Sequence, residues 1–376
     1  MRTNLTNMSM KKLLLVLAAW LLLTGCYHST DSPRGSWARG CDLSWLSEME
    51  HNGVLFYDEN GDSRDCIELL RAEGMNAVRL RVWVNHKTGW SNKEDMLSLA
   101  LRAAQSGQRI MLDIHYSDFF ADPSHQTIPA AWANYDYNTM LEAVREHTLD
   151  VLYALKEEGI KPEWVQIGNE TPNGMLWPMG KVEPLDVSSQ PSEQWEHYAG
   201  FTAMGYQSAK EAFPDINVIV HIDNAYEYRD WFWEQLSAHG AKWDMIGLSH
   251  YPMMEAWCGK PWQEMNRLAE ENVKKLISEW HCPVMICEVG MLNYGEGELY
   301  HGIAALSDTV MTDFVSRMEH IDSCAGIFYW EPECYGGWRP AEYIPLNWGA
   351  YDMGSFTPSG HPSPALRTLL QSSRSN

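Results

Sequence analysis

Short runs of apolar residues recur along the chain. Each is followed by a polar loop and then by a stretch with apolar positions three and four apart. The runs at 40–43, 77–84, 109–115, 164–168, 217–222, 245–250, 284–287 and 326–329 are too short for helices and read as buried β-strands. Between them, residues 63–73 gather Cys66, Ile67, Leu69 and Leu70 on one side, and 92–105 gather Met96, Leu97, Ala100, Leu101 and Ala104. Residues 137–158, 192–213 and 262–281 carry longer helical patterns, and Gly74, Gly107 and Gly159 stand where helices should stop. Strands alternating with helices form parallel sheets, because each crossover returns the chain to the same end. Eight such units predict an α/β fold, a single (β/α)8 barrel over residues 37–376. An open doubly wound sheet is the alternative, but no GxGxxG follows a strand to support a dinucleotide site.

The first 26 residues do not fit this pattern. Arg2, Lys11 and Lys12 precede an apolar run from Leu13 to Leu23, shorter than the about 20 residues that span a bilayer. Leu23-Thr24-Gly25-Cys26 follows and is similar to a bacterial lipobox, which predicts cleavage and a lipidated Cys26. Residues 27–36 then form a short polar tether. The expected localisation is an exported lipoprotein anchored to a membrane, at the bacterial cell surface. Without Cys26, seven cysteines remain: an odd number, with no zinc-motif spacing. The expectation is mostly buried free thiols, with Cys324–Cys334 the first pair to test for a disulfide.

Composition narrows the ligand. Fifty acidic against 28 basic residues give a formal charge of −22, which repels nucleic acid and disfavours a polyanionic sugar. The 18 Trp and 17 Tyr suit stacking on sugar rings.

A barrel of this kind places its chemistry at the C-terminal ends of its strands. Those ends read Asp42, Trp83, His115, Asn169-Glu170, Asp223-Asn224, His250-Tyr251, Glu288 and Trp330. Glu170 and Glu288 close buried runs on the fourth and seventh strands, so their carboxyls can face each other across the barrel mouth. Glycoside hydrolysis needs such a pair. Asn169 can bond a sugar 2-hydroxyl, Tyr251 can donate to the nucleophile, and His115 and Trp330 can line the sugar pocket, the Trp as a flat floor. Arg79 can keep a nearby carboxylate ionised, although strand parity does not separate it from Arg81.

Longer stretches sharpen the picture. Gly40-Cys41-Asp42-Leu43-Ser44, Tyr57-Asp58-Glu59-Asn60-Gly61, Arg79-Leu80-Arg81-Val82-Trp83-Val84 and His115-Tyr116-Ser117-Asp118 are four of them. Ala121-Asp122-Pro123, Gln166-Ile167-Gly168-Asn169-Glu170 and Phe328-Tyr329-Trp330-Glu331-Pro332 are the others. Together they resemble the endo-β-1,4-galactanase family of the clan A glycoside hydrolases, from about Gly40 to the end of the barrel. The resemblance implies a retaining endo-hydrolase of β-1,4-galactan, with Glu170 as acid/base and Glu288 as nucleophile. Its substrates would be pectic galactan side chains and type I arabinogalactan.

The chain departs from the family in places. Val289-Gly290 follows Glu288 where relatives carry Thr and an aromatic, and Ser249-His250-Tyr251-Pro252 stands where many have Tyr-Tyr-Pro. Residues 291–298 lack the Asp-rich loop with which many bacterial relatives bind calcium, so neither a metal nor a cofactor is expected. A monomer is expected. Another clan A glycanase, of mannanase or xylanase type, would use the same two carboxylates, and a non-catalytic glycan-binding lipoprotein would need neither.

Overall fold

The computed structural model describes residues 36–183, 192–253, 259–292, 299–335, 338 and 353–372. Cys26, the tether up to residue 35, Cys258 and residues 293–298 lie outside the described residues. Eight parallel strands close into a barrel: β1 Ala38–Asp42, β2 Ala77–Val82, β3 Arg109–Ile114, β4 Trp164–Ile167, β5 Asn217–Ile222, β6 Met245–His250, β7 Val284–Val289 and β8 Cys324–Tyr329. Each pairs with its sequence neighbours, and β1 closes the ring on β8 with Ala38 opposite Gly326. The (β/α)8 expectation holds, and closure leaves the barrel sheet itself without an open edge.

Alternation along each strand divides the interior into two layers. Ala38, Ala77, Met111, Trp164, Ile219, Met245, Met285, Cys287 and Phe328 fill the lower barrel with apolar side chains. Small residues on β1 and β2 leave room for the Trp164 and Phe328 rings, whose centroids lie 6.0 Å apart. Gly40 belongs to the same fit: a Cβ there would stand 2.2 Å from the Phe328 ring. Two residues further along the same inward parity the side chains turn polar at Arg79, Asp113, Gln166 and His221, and on β6 Ser249 follows four residues after Met245. Outward positions such as Val78, Leu80, Ile246 and Leu248 pack against the helices in a second, larger core.

Irregularities in pairing adjust the inward-facing side chains of β7 and β8. Leu248 pairs with Ile286 but Ser249 pairs with Glu288, so β7 carries an extra residue at Cys287. The bulge lets Cys287 and Glu288 both face inward, although they are adjacent. On β8 the register also shifts, at Gly326, whose φ of 150° excludes a side chain against Ala38.

The helices lie where periodicity placed them, with trimmed ends. Residues 63–64 pair with Phe56–Tyr57 instead of starting a helix, and Asp65 caps the helix Cys66–Glu73 by accepting from the Glu68 N–H. Lys93–Gln105, Tyr137–Glu157, Ser192–Ala212 and Trp262–Trp280 follow. Asp230–Ala238, Leu299–Glu319 and Pro364–Leu370 are further helices that the sequence pattern did not resolve. No disulfide joins Cys324 to Cys334, which corrects the expected first pair. Cys324 opens β8 at the base of the barrel and Cys334 lies beyond its top. A strand rises about 3.3 Å per residue, so the two are separated by well over the about 7 Å that a disulfide can bridge.

Candidate active site

The C-terminal strand ends surround a cleft of about 470 Å³. Of the residues expected there, Arg79, His115, Asn169, Glu170, Asp223, Tyr251, Glu288 and Trp330 line it. The rim is conformationally strained: Tyr116, Glu170, Asn224 and Glu331, just beyond β3, β4, β5 and β8, take φ of 50°, 41°, 54° and 46°. Such left-handed backbone in non-glycine residues costs about 1–3 kcal/mol each and persists only where surrounding contacts enforce it.

Three expected residues are not in the lining. His250 is fully buried on the outer side of β6, with Nε2 bonded to Asn266 Oδ1 at 2.8 Å and its ring stacked on Phe314. It shares parity with Ile246 and Leu248, which face the helices, while Ser249 turns inward. Trp83 is fully buried between Phe119, Phe120 and His86, behind the cleft wall. Asp42 lies below the floor, where it accepts from Arg79 Nη1 at 2.5 Å and from the Ser44 hydroxyl. Asp42 therefore acts on the cleft through Arg79.

Arg79 is the hub of the site. Its Nη2 reaches Asp113 Oδ2, Asn169 Oδ1 and Glu288 Oε1, each at 2.9 Å, and its Nε donates to Gln166 Oε1 at 2.6 Å. Glu288 is thereby fixed from one side by a guanidinium. Tyr251 fixes it from the other, its hydroxyl donating to Oε2 at 2.5 Å. Arg81 also lines the cleft but pairs with Glu331, so the two arginines that parity left together have different carboxylate partners.

Burial raises both cleft carboxyls, to different degrees. Glu170 is held well above the usual carboxylate range by desolvation, reinforced by the negative charges of Glu288 and Asp223. For Glu288, burial is opposed by Arg79 and by the Tyr251 hydrogen bond, so its rise is smaller. Of the two, Glu170 is the one whose surroundings more strongly favour the protonated form. Asp113 would be raised by burial, but Arg79 and His115 bring it down to about 2. Its Oδ2 accepts from His115 Nε2 at 2.7 Å, and His115 Nδ1 in turn accepts from the Ala121 N–H at 2.9 Å. The imidazole, fixed through both nitrogens, lines the cleft.

Sequence reasoning missed Asp113, Gln166, His221 and Ser249, all on inward parity above the apolar layer. Gln166 Nε2 donates to His221 Nδ1 at 2.8 Å, which makes Nε2 the protonated nitrogen that donates to Ser249 Oγ at 2.9 Å. Burial and Arg79 keep His221 well below its ordinary pKa, hence neutral. Among the described residues, no group of three or more His, Cys, Asp or Glu is placed to hold a metal ion.

The sequence profile described as Glycosyl hydrolase family 53 matches residues 38–369. The chain belongs to that family. It is 32% identical to an uncharacterised protein of Niallia circulans, over 84% of this chain and 89% of the relative. It is 30% identical to a probable arabinogalactan endo-β-1,4-galactanase A of Aspergillus fumigatus, over 78% of this chain and 83% of that one. A solved fungal β-1,4-galactanase superimposes with a TM-score of 0.75 at 27% identity, covering 88% of this chain and 98% of its own. The protein is a glycoside hydrolase.

Proposed function

We propose that this chain is a retaining endo-β-1,4-galactanase, cutting neutral galactan such as pectic side chains or type I arabinogalactan. The observation that carries the reading is the asymmetry of the two cleft carboxyls. Glu170 faces other negative groups and keeps its proton, while Glu288 is gripped by Arg79 and Tyr251. In the first step the Glu170 carboxyl gives its proton to the leaving glycosidic oxygen as a Glu288 oxygen bonds to the anomeric carbon. In the second, the Glu170 carboxylate takes a proton from water, whose oxygen displaces Glu288 from that carbon. Retention by this route calls for carboxyls about 5–5.5 Å apart, whereas inversion calls for about 6.5–9.5 Å. Asn169 donates one amide proton to the Ala121 carbonyl, and the other is available to a sugar 2-hydroxyl. Trp330 supplies the apolar floor. The names of the similar fungal enzymes support galactan as the polymer.

The same reading makes the mature enzyme a monomeric exported lipoprotein, tied to the bacterial outer surface through lipid on Cys26. The deciding experiment is the product profile on linear β-1,4-galactan, with NMR of the first-formed ends. Galacto-oligosaccharides carrying the β anomer are expected. An α anomer would overturn retention, cleavage of mannan or xylan instead would overturn the substrate, and binding without new reducing ends would overturn catalysis. Cys26→Ala should shift the protein from the membrane to the soluble fraction, and membrane retention of that variant would remove the anchor from the proposal.

A further inference from the structure

Glu170 carries its carboxyl on a backbone that has left the strand. Its φ is 41°, and the preceding Gly168 has a φ of 83°. In an extended strand successive carbonyls point to opposite sides. Here those of Asn169 and Glu170 converge on a single donor, the Gln126 side-chain amide, whose Nε2 lies 2.8 Å and 3.1 Å from the two oxygens. Gln126 is 2% exposed. The same nitrogen reaches the Asp122 carbonyl at 3.0 Å.

We infer that Gln126 is a positioning residue for the acid/base: it holds the two carbonyls that define the backbone turn at Glu170 and ties that turn to the cleft-wall segment 121–125. The inference rests on the acid/base reading of Glu170. Three side-chain amides join the same two pieces of chain, since Asn169 donates to the Ala121 carbonyl and Asn173 to the Pro123 carbonyl, each at 2.8 Å. Ala121, Asp122, Pro123, Ser124 and His125 all line the cleft, and the charge of Asp122 helps to hold the proton on Glu170. The wall that receives the substrate and the group that protonates it are therefore one braced unit.

The chemistry of Gln126 suits this place better than the alternatives. A primary amide brings two protons without charge, and three carbonyl oxygens surround them. A hydroxyl brings one proton. An ammonium would bring three, together with a positive charge that pulls the pKa of a neighbouring carboxyl down. An acid that must keep its proton between turnovers needs a neutral brace.

The test uses leaving-group dependence, which a purely structural loss would not move selectively. Gln126→Leu keeps the bulk and removes the donors. kcat/KM reports the first chemical step. On galactan, whose leaving group needs protonation, it should fall about 10- to 100-fold, within the range that a misplaced proton donor costs. On an aryl galactoside with an activated phenol it should fall less than about threefold, because that phenol leaves without help. Gln126→Glu loses both donors when ionised but regains one when protonated. Its galactanase activity relative to the unmodified enzyme should therefore recover as the pH is lowered. If Gln126→Leu fails to fold, Gln126→Met carries the same comparison. Equal losses on both substrates, or unchanged kcat/KM on galactan, would overturn the inference. Glu170→Ala is run in parallel. If it too lacks leaving-group selectivity and azide fails to restore its turnover, the acid/base reading itself falls; if it behaves as an acid/base variant while Gln126→Leu does not, only the brace falls.

Discussion

Arg79 and Arg81 sit two residues apart on the inward face of β2, and each anchors one member of a buried carboxyl pair. Arg79 holds Glu288, which shares its surroundings with Glu170; Arg81 holds Glu331, which is hydrogen-bonded to Glu333. The parallel goes further. Glu170 and Glu331 both stand just past a strand end in left-handed backbone. Burial raises all four, and Glu331 is pushed to about 8, with Arg81 opposing and Asp42 adding to the rise. What separates the pairs is access. Glu170 and Glu288 line the cleft, while Glu331 and Glu333 are wholly buried, and the Trp45 N–H reaches both of their carboxyls. A displaced pKa therefore marks desolvation, and only a path for substrate turns it into catalysis.

The largest expected effect breaks the pairs apart by activity. Glu288→Ala removes the proposed nucleophile and should lower kcat on galactan on the order of 10⁴-fold or more. Glu333→Gln keeps a hydrogen bond to Glu331 and should leave kcat within about threefold. Azide identifies the roles within the open pair: Glu170→Ala should give the β-galactosyl azide and Glu288→Ala the α product. Exchanged anomers would reverse the assignment. A loss at Glu333→Gln that rivals Glu288→Ala would mean the sealed pair belongs to the chemistry.

The open pair was legible in the sequence and the sealed pair was not. Glu170 and Glu288 end apolar runs, so the strand-end rule finds them. For Glu288 the rule succeeded through a bulge that no pattern announces, because strict alternation from Met285 would have turned it outward. His250 shows the reverse. Ile246 and Leu248 on the same parity already pointed it at the helices, yet Gly247 left the inward face without a side chain to mark it. Glu331 was visible only as part of a motif, and Glu333 stood in none. Their pairing depends on a turn beyond β8, and Trp45, from the other end of the chain, packs on Trp330 and Trp338 beside them and reaches both carboxyls with its N–H. Gln126 lies in a loop, where there is no periodicity to read. The barrel itself was recoverable because alternation and helix spacing are local, whereas the second layer of the site depends on which strand ends meet.

A smaller effect sharpens the comparison through stability. For a carboxyl whose folded pKa is raised, the unfolded chain loses its proton first. Stability is therefore full below the usual value of 4.5 and is lost as the pH rises toward the folded value, about 8 for Glu331. The sealed pair should thus make the enzyme less stable at pH 8 than at pH 6, by about 1.4 kcal/mol for each unit and group still protonated only in the folded state. Glu333→Gln removes one negative neighbour and one of these protons. The melting temperature at pH 8 should rise by about 3 °C relative to the unmodified protein, with little difference at pH 5. Equal shifts at both pH values would show that the pair is not holding a proton.

The smallest effect comes from the acid side, at His250, and it tests whether that residue belongs with the cleft or with the packing. Burial brings its pKa down to about 4, with the Asn266 hydrogen bond opposing the fall. Asn266 Nδ2 already donates to the Val310 carbonyl and to Asp313, so its Oδ1 accepts from His250 Nε2–H. The ring is thus neutral in the folded protein and free to protonate at about 6.5 in the unfolded chain. For a pKa depressed by folding, the contribution to stability is complete above 6.5 and is lost as the pH falls through about 4, the opposite sign to Glu331. His250→Gln keeps a donor for Asn266 but does not titrate. It should cost about 1 kcal/mol at neutral pH through the lost stacking on Phe314, and it should flatten the decline in melting temperature between pH 6 and pH 4. Because His250 faces the helices, KM and kcat on galactan should stay within about twofold. A tenfold rise in KM with an unchanged acid slope would return the imidazole to the substrate, and with it the simple reading in which every polar strand end on β6 belongs to the cleft.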